Sequence, residues 1–212
     1  RSTLFPYTTL FRSASISIQS PDVILEVIRR LRLDMEYKVD GTFHKELLYG
    51  RTLPVEVGIE KLSYNDDCTF TLTIQKDGKV KLSEFCMNGE ELGSDSVITA
   101  SLKKSVETPV GRLTVTPTPY FKQASQTAMP IYVKRTGLLS SIGICQGKMR
   151  AELADEKSTI IELIYSDRSI QRAEEFLNTL ISVYNENWVK DRNRIAVSTS
   201  LFINERLQVI EN

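Results

Sequence analysis

The last segment of the chain constrains its fold most strongly, because residues 170–212 contain neither glycine nor proline. Apolar side chains recur with helical spacing in the first part of this segment, at Ala173, Phe176, Leu177, Leu180 and Tyr184. As a single helix the segment would be about 65 Å long at about 1.5 Å per residue, longer than a small domain is wide. A periodic pattern of this length without a stop signal predicts a coiled coil or a helical arm that needs a partner.

The middle of the chain has the opposite pattern, an alternation with a period of two that is typical of strands. Apolar residues alternate with polar residues or glycine over residues 55–60 and 70–74. The sequence Lys76-Asp77-Gly78 then predicts a three-residue hairpin loop, with Gly78 in the left-handed conformation that such loops require. Residues 51–134 are therefore predicted to form a small all-β insert, a sandwich or a barrel.

The segments on either side of this region combine helix and strand signals. Ser20-Pro21 starts a helix whose apolar stripe includes Ile24, Val27 and Ile28, and Thr159–Tyr165 is a strand pattern. The predicted fold class is α+β: a mixed α/β base with an inserted small all-β region and the start of a long C-terminal helical arm. The predicted division is 14–50 for the first part of the base, 51–134 for the β-rich insert, 135–168 for the returning strands of the base, and 169–212 for the long helix, which we expect to be truncated.

The first residues are not expected to belong to the fold. Thr3-Leu4-Phe5 recurs as Thr9-Leu10-Phe11, and Arg1-Ser2 recurs as Arg12-Ser13. This stretch resembles the conceptual translation of a sequencing adapter, and it lacks the layout of a signal peptide. We interpret residues 1–13 as an adapter-derived artefact.

The charge balance and the cysteine spacing argue against several functional classes. The chain has 27 basic and 27 acidic residues, whereas nucleic-acid binding usually leaves a basic footprint. No apolar run approaches the roughly 18 residues of a membrane span. Cys68, Cys86 and Cys145 lie far apart without a C-x-x-C motif, so neither a zinc ribbon nor a redox motif is expected.

The sequence also lacks the motifs of an active site. His44 is the single histidine, no nucleophile lies near it in sequence, and no phosphate-binding glycine motif is present. The adjacent pairs Asp66-Asp67 and Glu90-Glu91 lack the spacing of a calcium loop. We therefore predict no catalytic, cofactor-binding or metal-binding residue and no cofactor, and hence no enzyme activity, in this fragment.

Two features leave alternatives open. Tyr184 and Trp188 lie four residues apart on the long helix, so they either stack on a sugar ring or continue the buried stripe. Cys68 faces Cys86 if the hairpin register runs outward from Ile74 opposite Val80. In that register they form a disulfide in an oxidising compartment. The alternative is a bulge near residues 83–85 that shifts the register and leaves them as two separate free thiols.

The C-terminal run has an unusual order of a strand, a turn and a very long helix. Its distinguishing residues are Ile160–Tyr165, Asp167, Ala173, Asn178, Tyr184 and Phe202–Leu207. In these residues the chain resembles the periplasmic region of bacterial polysaccharide co-polymerases, the chain-length determinants of capsule and exopolysaccharide export. It is most similar to the type fused to a cytoplasmic tyrosine autokinase. The helix after Ser20 and the sequence LYGRTLPVEV look similar to earlier segments of that family.

The resemblance implies a periplasmic scaffold that acts by oligomerisation through the helical arm and the base. It implies a location at the periplasmic face of the inner membrane of a Gram-negative bacterium, with membrane helices flanking this fragment. The implied partners are a polysaccharide polymerase and the outer-membrane export machinery, with no nucleic acid, and any tyrosine kinase activity would lie in a missing cytoplasmic domain.

The alternative is a carbohydrate-binding β module of a cell-surface or secreted protein. In the scaffold, the base sheet is expected to mix strands from both ends of the chain, and strand Thr159–Tyr165 is then expected to pack against helix 21–33. In the binding module, the β region is expected to close alone and to present a face lined by aromatic residues.

Overall fold

The structure, a computed structural model, describes residues 15–75, 77–93, 96–121, 129–153 and 160–210. The predicted artefact at residues 1–13 and the loop residue Lys76 lie outside the described residues, as does Thr159. The described chain has the α+β class that the sequence predicts, with a long helix at its C-terminal end.

Three α-helices lie wholly within the described residues, in addition to the helical residues 15–18, and the last is by far the longest. Helix α1 is Pro21–Leu31, α2 is Leu138–Lys148 and α3 is Ile170–Ile210, with a 3-10 turn at Gly50–Thr52. The backbone N–H of Arg172 donates to the Ser169 hydroxyl at 3.3 Å, and the Ser169 N–H donates to the Asp167 carboxylate at 3.0 Å. Ser169 therefore caps α3, and Asp167 holds the capping residue in place.

The strands in the described residues form three antiparallel sheets. In chain order they are β1 (Met35–Asp40), β2 (Lys45–Leu48), β3 (Val55–Glu60), β4 (Cys68–Ile74), β5 (Lys79–Met87), β6 (Glu90–Glu91), β7 (Ile98–Ser101), β8 (Ser105–Thr108), β9 (Gly111–Pro117), β10 (Pro130–Arg135), β11 (Met149–Leu153) and β12 (Ile161–Tyr165). The largest sheet has the order β2-β1-β10-β4-β5-β6, with β7 also paired to β5. The other two sheets are β3-β9-β8 and β11-β12.

The buried hydrophobic residues that the structure describes divide into two clusters. The first lies between the two larger sheets and draws all of its buried members from residues 35–133. The second joins Ile18 and the apolar stripe of α1 to α2, Met149 and the buried face of α3. We call these the β unit and the base. The chain forms the first helix of the base, then the whole β unit, and then returns to complete the base.

The β unit begins earlier than the sequence predicts. Residues 35–48 were expected in the base, but β1 pairs with β10 from Met35–Arg135 to Val39–Ile131, and β2 extends the same sheet. Met35 and Tyr37 alternate with charged residues, and both are buried in the core of the β unit. The sheet therefore runs across the predicted boundary at residue 50. The segment 135–168 likewise differs, because it contains α2 in addition to the predicted returning strands.

The β4–β5 hairpin has the predicted register near its loop and a different one farther out. Leu72 faces Leu82, and the N–H of Gln75 donates to the carbonyl of Lys79 at 2.8 Å. Gly78 has a φ of +77°, the left-handed conformation predicted for it. Beyond the loop, a bulge shifts the pairing between Thr69 and Thr71.

The bulge decides the state of the two cysteines. Glu84 has a φ of +57°, and its carboxylate accepts a hydrogen bond from the Thr71 hydroxyl at 2.5 Å, which keeps this charged side chain out of the core. Cys68 consequently lies opposite Met87, while Cys86 lies opposite Thr69. Both thiols are free, so the disulfide alternative is wrong.

Candidate assembly surface

The outer part of α3 has no packing partner in the described chain. Phe176, Leu180 and Val183 are fully buried in the base, where the Phe176 ring stacks on Tyr165 with 3.8 Å between centroids. From Trp188 to Ile203 every residue is exposed. This exposed stretch, which we call the arm, is about 24 Å long at about 1.5 Å per residue. The predicted helical arm is thus present.

Large apolar side chains form a regular ladder along this helix. Ile181, Trp188, Ile195 and Phe202 follow one another at intervals of seven residues, with exposed fractions of 43%, 52%, 59% and 56%. A seven-residue interval keeps side chains on one face of a helix that packs lengthwise against another helix. Asp191 and Ser198, at the intervening positions, are polar, and the arm also exposes Val189, Val197, Leu201 and Ile203 outside the ladder. Although the interval is visible in the sequence, the sequence does not show which of these residues remain exposed.

An ion-pair network connects the last turn before the arm to α1. Arg30 on α1 donates from two nitrogens to the two carboxylate oxygens of Glu186, at 2.8 and 2.7 Å, and from Nε to Glu26 at 2.9 Å. Donation from Arg30 lowers the pKa of Glu186 to about 2. Glu186 lies two residues before the arm, so this contact ties the start of the arm to α1.

A second, buried ion pair holds the beginning of α3. The Asp167 side chain is 1% exposed and accepts hydrogen bonds from Nε and one terminal nitrogen of Arg172 at 2.9 and 2.8 Å. Burial by itself would raise the pKa of Asp167, but the hydrogen bonds from Arg172 and Ser169 outweigh it and lower the pKa. The strand β12, the cap and the first turn of α3 are joined at this carboxylate.

A cleft separates the base from the β unit on one side of the molecule. It has a volume of about 630 Å³ and lies between the end of α1, the 3-10 turn, β3 and the first turns of α3. The Tyr49 hydroxyl donates to Glu175 at 2.5 Å, and burial together with this bond raises the pKa of Tyr49. Gly50 has a φ of +56°, and the side chain of Gln171 lies close against its α-carbon. These contacts dock the 3-10 turn onto α3.

The residues considered from the sequence are not brought together into one site. His44 is exposed in the turn between β1 and β2, and Asn178 is exposed on α3. Tyr184 continues the half-buried edge of the base, whereas Trp188 is exposed with the Arg192 guanidinium 5.0 Å from its ring centre.

The acidic pairs are explained by local structure. Asp67 accepts a hydrogen bond from the backbone N–H of Gly137 at 2.7 Å, and Asp66 accepts one from the Asn88 side chain at 3.1 Å. Glu90 and Glu91 form the short exposed strand β6. Within the described part of the chain, no group of three or more histidine, cysteine or acidic side chains is arranged to hold a metal ion.

Neither a protein-family model nor a curated protein sequence matches this chain. Of the helices in the described ranges, none combines the length and the apolar character needed to cross a bilayer.

Proposed function

We propose that this chain is a non-enzymatic scaffold that assembles with further copies of itself through the arm. The observation that supports this most directly is the ladder of exposed apolar side chains at seven-residue intervals on a helix held away from the base. Such side chains gain free energy when another helix covers them. Identical arms present identical ladders, and the formal net charge of zero gives the copies no overall repulsion.

The biological setting that we propose comes from the resemblance in the C-terminal run. In that setting the scaffold lies at the periplasmic face of the inner membrane of a Gram-negative bacterium and helps to control polysaccharide chain length or export. It would act together with a polysaccharide polymerase and the outer-membrane export machinery. Membrane helices would flank this fragment, and any tyrosine kinase activity would belong to a cytoplasmic domain of the parent protein.

A carbohydrate-binding β module is the second candidate, and one observation favours it. The core of the β unit is drawn from residues 35–133 alone, as a self-contained module would require. However, the exposed aromatic residues Phe43, Tyr64 and Tyr120 lie on three separate loops of this unit instead of lining one face. Against the scaffold, β12 pairs with β11 alone among the described strands, so the expectation of a base sheet that mixes strands from both ends of the chain is wrong. Leu163 and Tyr165 of β12 nevertheless pack on the same cluster as α1. We therefore prefer the scaffold.

Sedimentation velocity of two matched double variants tests the assembly. Ile195→Glu with Phe202→Glu places two charges on the ladder, whereas Asn193→Glu with Ser200→Glu places them at exposed positions on the opposite side of the same helix. Glutamate is a good helix former, so neither variant should weaken the helix itself. We expect the unsubstituted chain and the control to form oligomers that dissociate on dilution, and the ladder variant to remain monomeric.

Two results would contradict the assembly. One is an unsubstituted chain that stays monomeric at about 100 μM, where a micromolar dissociation constant would leave little monomer. The other is a ladder variant that assembles as well as its control.

The setting is tested separately by the gene around this fragment. It should encode apolar spans of about 20 residues on both sides and, for the autokinase type, a phosphate-binding loop beyond the second span. A stop codon directly after Asn212 would refute that setting.

A further inference from the structure

The cleft between the base and the β unit has the size and composition of a ligand site. Its volume of about 630 Å³ falls within the range of small-molecule sites, which are often found where two units of a protein meet. Met35 and Leu53 contribute apolar surface, and Tyr49 and Tyr120 contribute aromatic rings. The cleft can therefore hold a ligand that has both an apolar face and polar groups.

Two arginines in the cleft are available for an anionic group. Arg51 is exposed and makes no hydrogen bond or ion pair with any residue that the structure describes. Arg32 is also exposed, and its contacts are long, 3.7 Å to the Asp34 carboxylate and 3.4 Å to the Val57 carbonyl. Guanidinium groups bind carboxylates through paired, charge-assisted hydrogen bonds.

The other charged groups of the cleft are mostly occupied. Arg30 is bound to Glu26 and Glu186, and Arg172 is bound to Asp167. Glu175 accepts hydrogen bonds from Tyr49 and Gln171. The Glu56 side chain is exposed at the cleft without a hydrogen-bond or ion-pair partner among the described residues, so it would oppose an anion there, as would the Asp34 carboxylate beside Arg32.

We propose that this cleft binds a carboxylated saccharide, that is, a uronic-acid unit of a longer glycan. Arg51 and Arg32 receive the carboxylate, and the apolar face of the sugar packs on Tyr49 and Tyr120. The two tyrosine rings supply contact area for the sugar and lose little conformational entropy when it binds. Gln171 and Tyr120 offer polar groups to the sugar hydroxyls. In selecting a saccharide over a small anion, this inference rests on the proposed function.

Isothermal titration calorimetry of the whole chain with tetragalacturonate tests the assignment, with maltotetraose and inorganic phosphate as comparison ligands. Arg51→Gln removes the cleft cation that has no partner among the described residues, and Lys104→Gln removes an exposed cation that is outside the cleft. We expect saturable binding of tetragalacturonate, weakened about tenfold or more by Arg51→Gln and unchanged by Lys104→Gln. Glu56→Gln should strengthen binding, and maltotetraose should bind at least about tenfold more weakly.

Three results would overturn the inference. They are an absence of binding at about 10 mM tetragalacturonate, equal affinities for Arg51→Gln and Lys104→Gln, and displacement of tetragalacturonate by phosphate at similar concentrations. Thermal melting of each variant shows whether it is folded. Sedimentation of the same samples separates the two proposals: a chain that assembles but does not bind overturns this inference alone, and a chain that binds but stays monomeric overturns the assembly alone.

Discussion

Replacing Asp167 with asparagine is expected to destabilise the base strongly, although the two side chains have nearly the same shape. Asp167 is 1% exposed and its partner Arg172 is 9% exposed, so the substitution leaves a guanidinium buried without its counter-charge. The carboxylate also accepts a hydrogen bond from the Ser169 N–H and lies 3.4 Å from the Lys148 ammonium. All of these groups lose a negatively charged partner at once.

The free energy of unfolding is expected to fall by about 3 kcal/mol. This is at the lower end of the values found when a buried ion pair loses one member, because asparagine keeps one acceptor oxygen. With a urea dependence of about 2 kcal/mol per molar, the midpoint of unfolding should fall by about 1.5 M. Asp191→Asn is the matched control, since Asp191 pairs with Arg194 at 3.5 Å on the exposed arm. Asp191→Asn should lower the free energy of unfolding by less than about 0.5 kcal/mol.

Urea unfolding followed by the helical circular dichroism signal measures both variants. The pH dependence provides a second measurement, because the pKa of Asp167 is lowered in the folded chain from the ordinary value of 3.8. A lowered pKa contributes stability above the unfolded value, and that stability is lost as the pH falls through the folded value. The difference in unfolding free energy between the original chain and Asp167→Asn should therefore be constant near neutral pH and shrink below about pH 4. Equal midpoints for Asp167→Asn and Asp191→Asn would refute this reasoning.

Two further predictions concern the arm and the cysteines. In the monomeric variant Ile195→Glu with Phe202→Glu, amide hydrogens of residues 188–203 should exchange much faster than those of residues 173–184. The reason is that only the inner segment packs on the base. Equal protection of the two segments in hydrogen-exchange mass spectrometry would contradict this. In thiol titration of the native chain, Cys86 should react before Cys68, because Cys68 is buried and its burial raises the pKa of its thiol to about 11. All three cysteines should react after unfolding without reductant, and a count of one would instead reveal a disulfide.

Predictions from the sequence succeed where local pattern and local chemistry act together. The Lys76-Asp77-Gly78 turn and the pairing of Leu72 with Leu82 follow from strand alternation and from the freedom of Gly78 to adopt a positive φ. The strand signal of residues 35–40 is similarly visible in MEYKVD, but the sheet that it joins is not. Its partner β10 lies about 90 residues away along the chain, and nothing in either strand specifies that distant pairing.

The cleft could not have been found in the sequence. Arg32, Arg51, Glu56 and Tyr120 belong to separate segments, and each has the pattern of an ordinary exposed residue. They meet because the β unit folds back onto the base, where Tyr49 bonds to Glu175 and Gly50 packs against Gln171. Helix α2 is also not predicted, because Gly143 and Gly147 weaken the helix signal of its sequence. In the folded chain, the burial of Ile142 and Cys145 in the base stabilises this helix.

The sequence by itself determined the long helix, the strand-rich middle and the helical start of the base, because hydrophobic periodicity and the absence of Gly and Pro act within a single element. Only the tertiary structure decided which strands share a sheet, that a bulge at Glu84 separates the two cysteines, and where the buried face of α3 ends. Those outcomes depend on the free energy of contacts between distant segments. Phe176 is covered because the Tyr165 ring stacks on it, whereas Trp188, about three turns farther along the helix and on a different face, is 52% exposed.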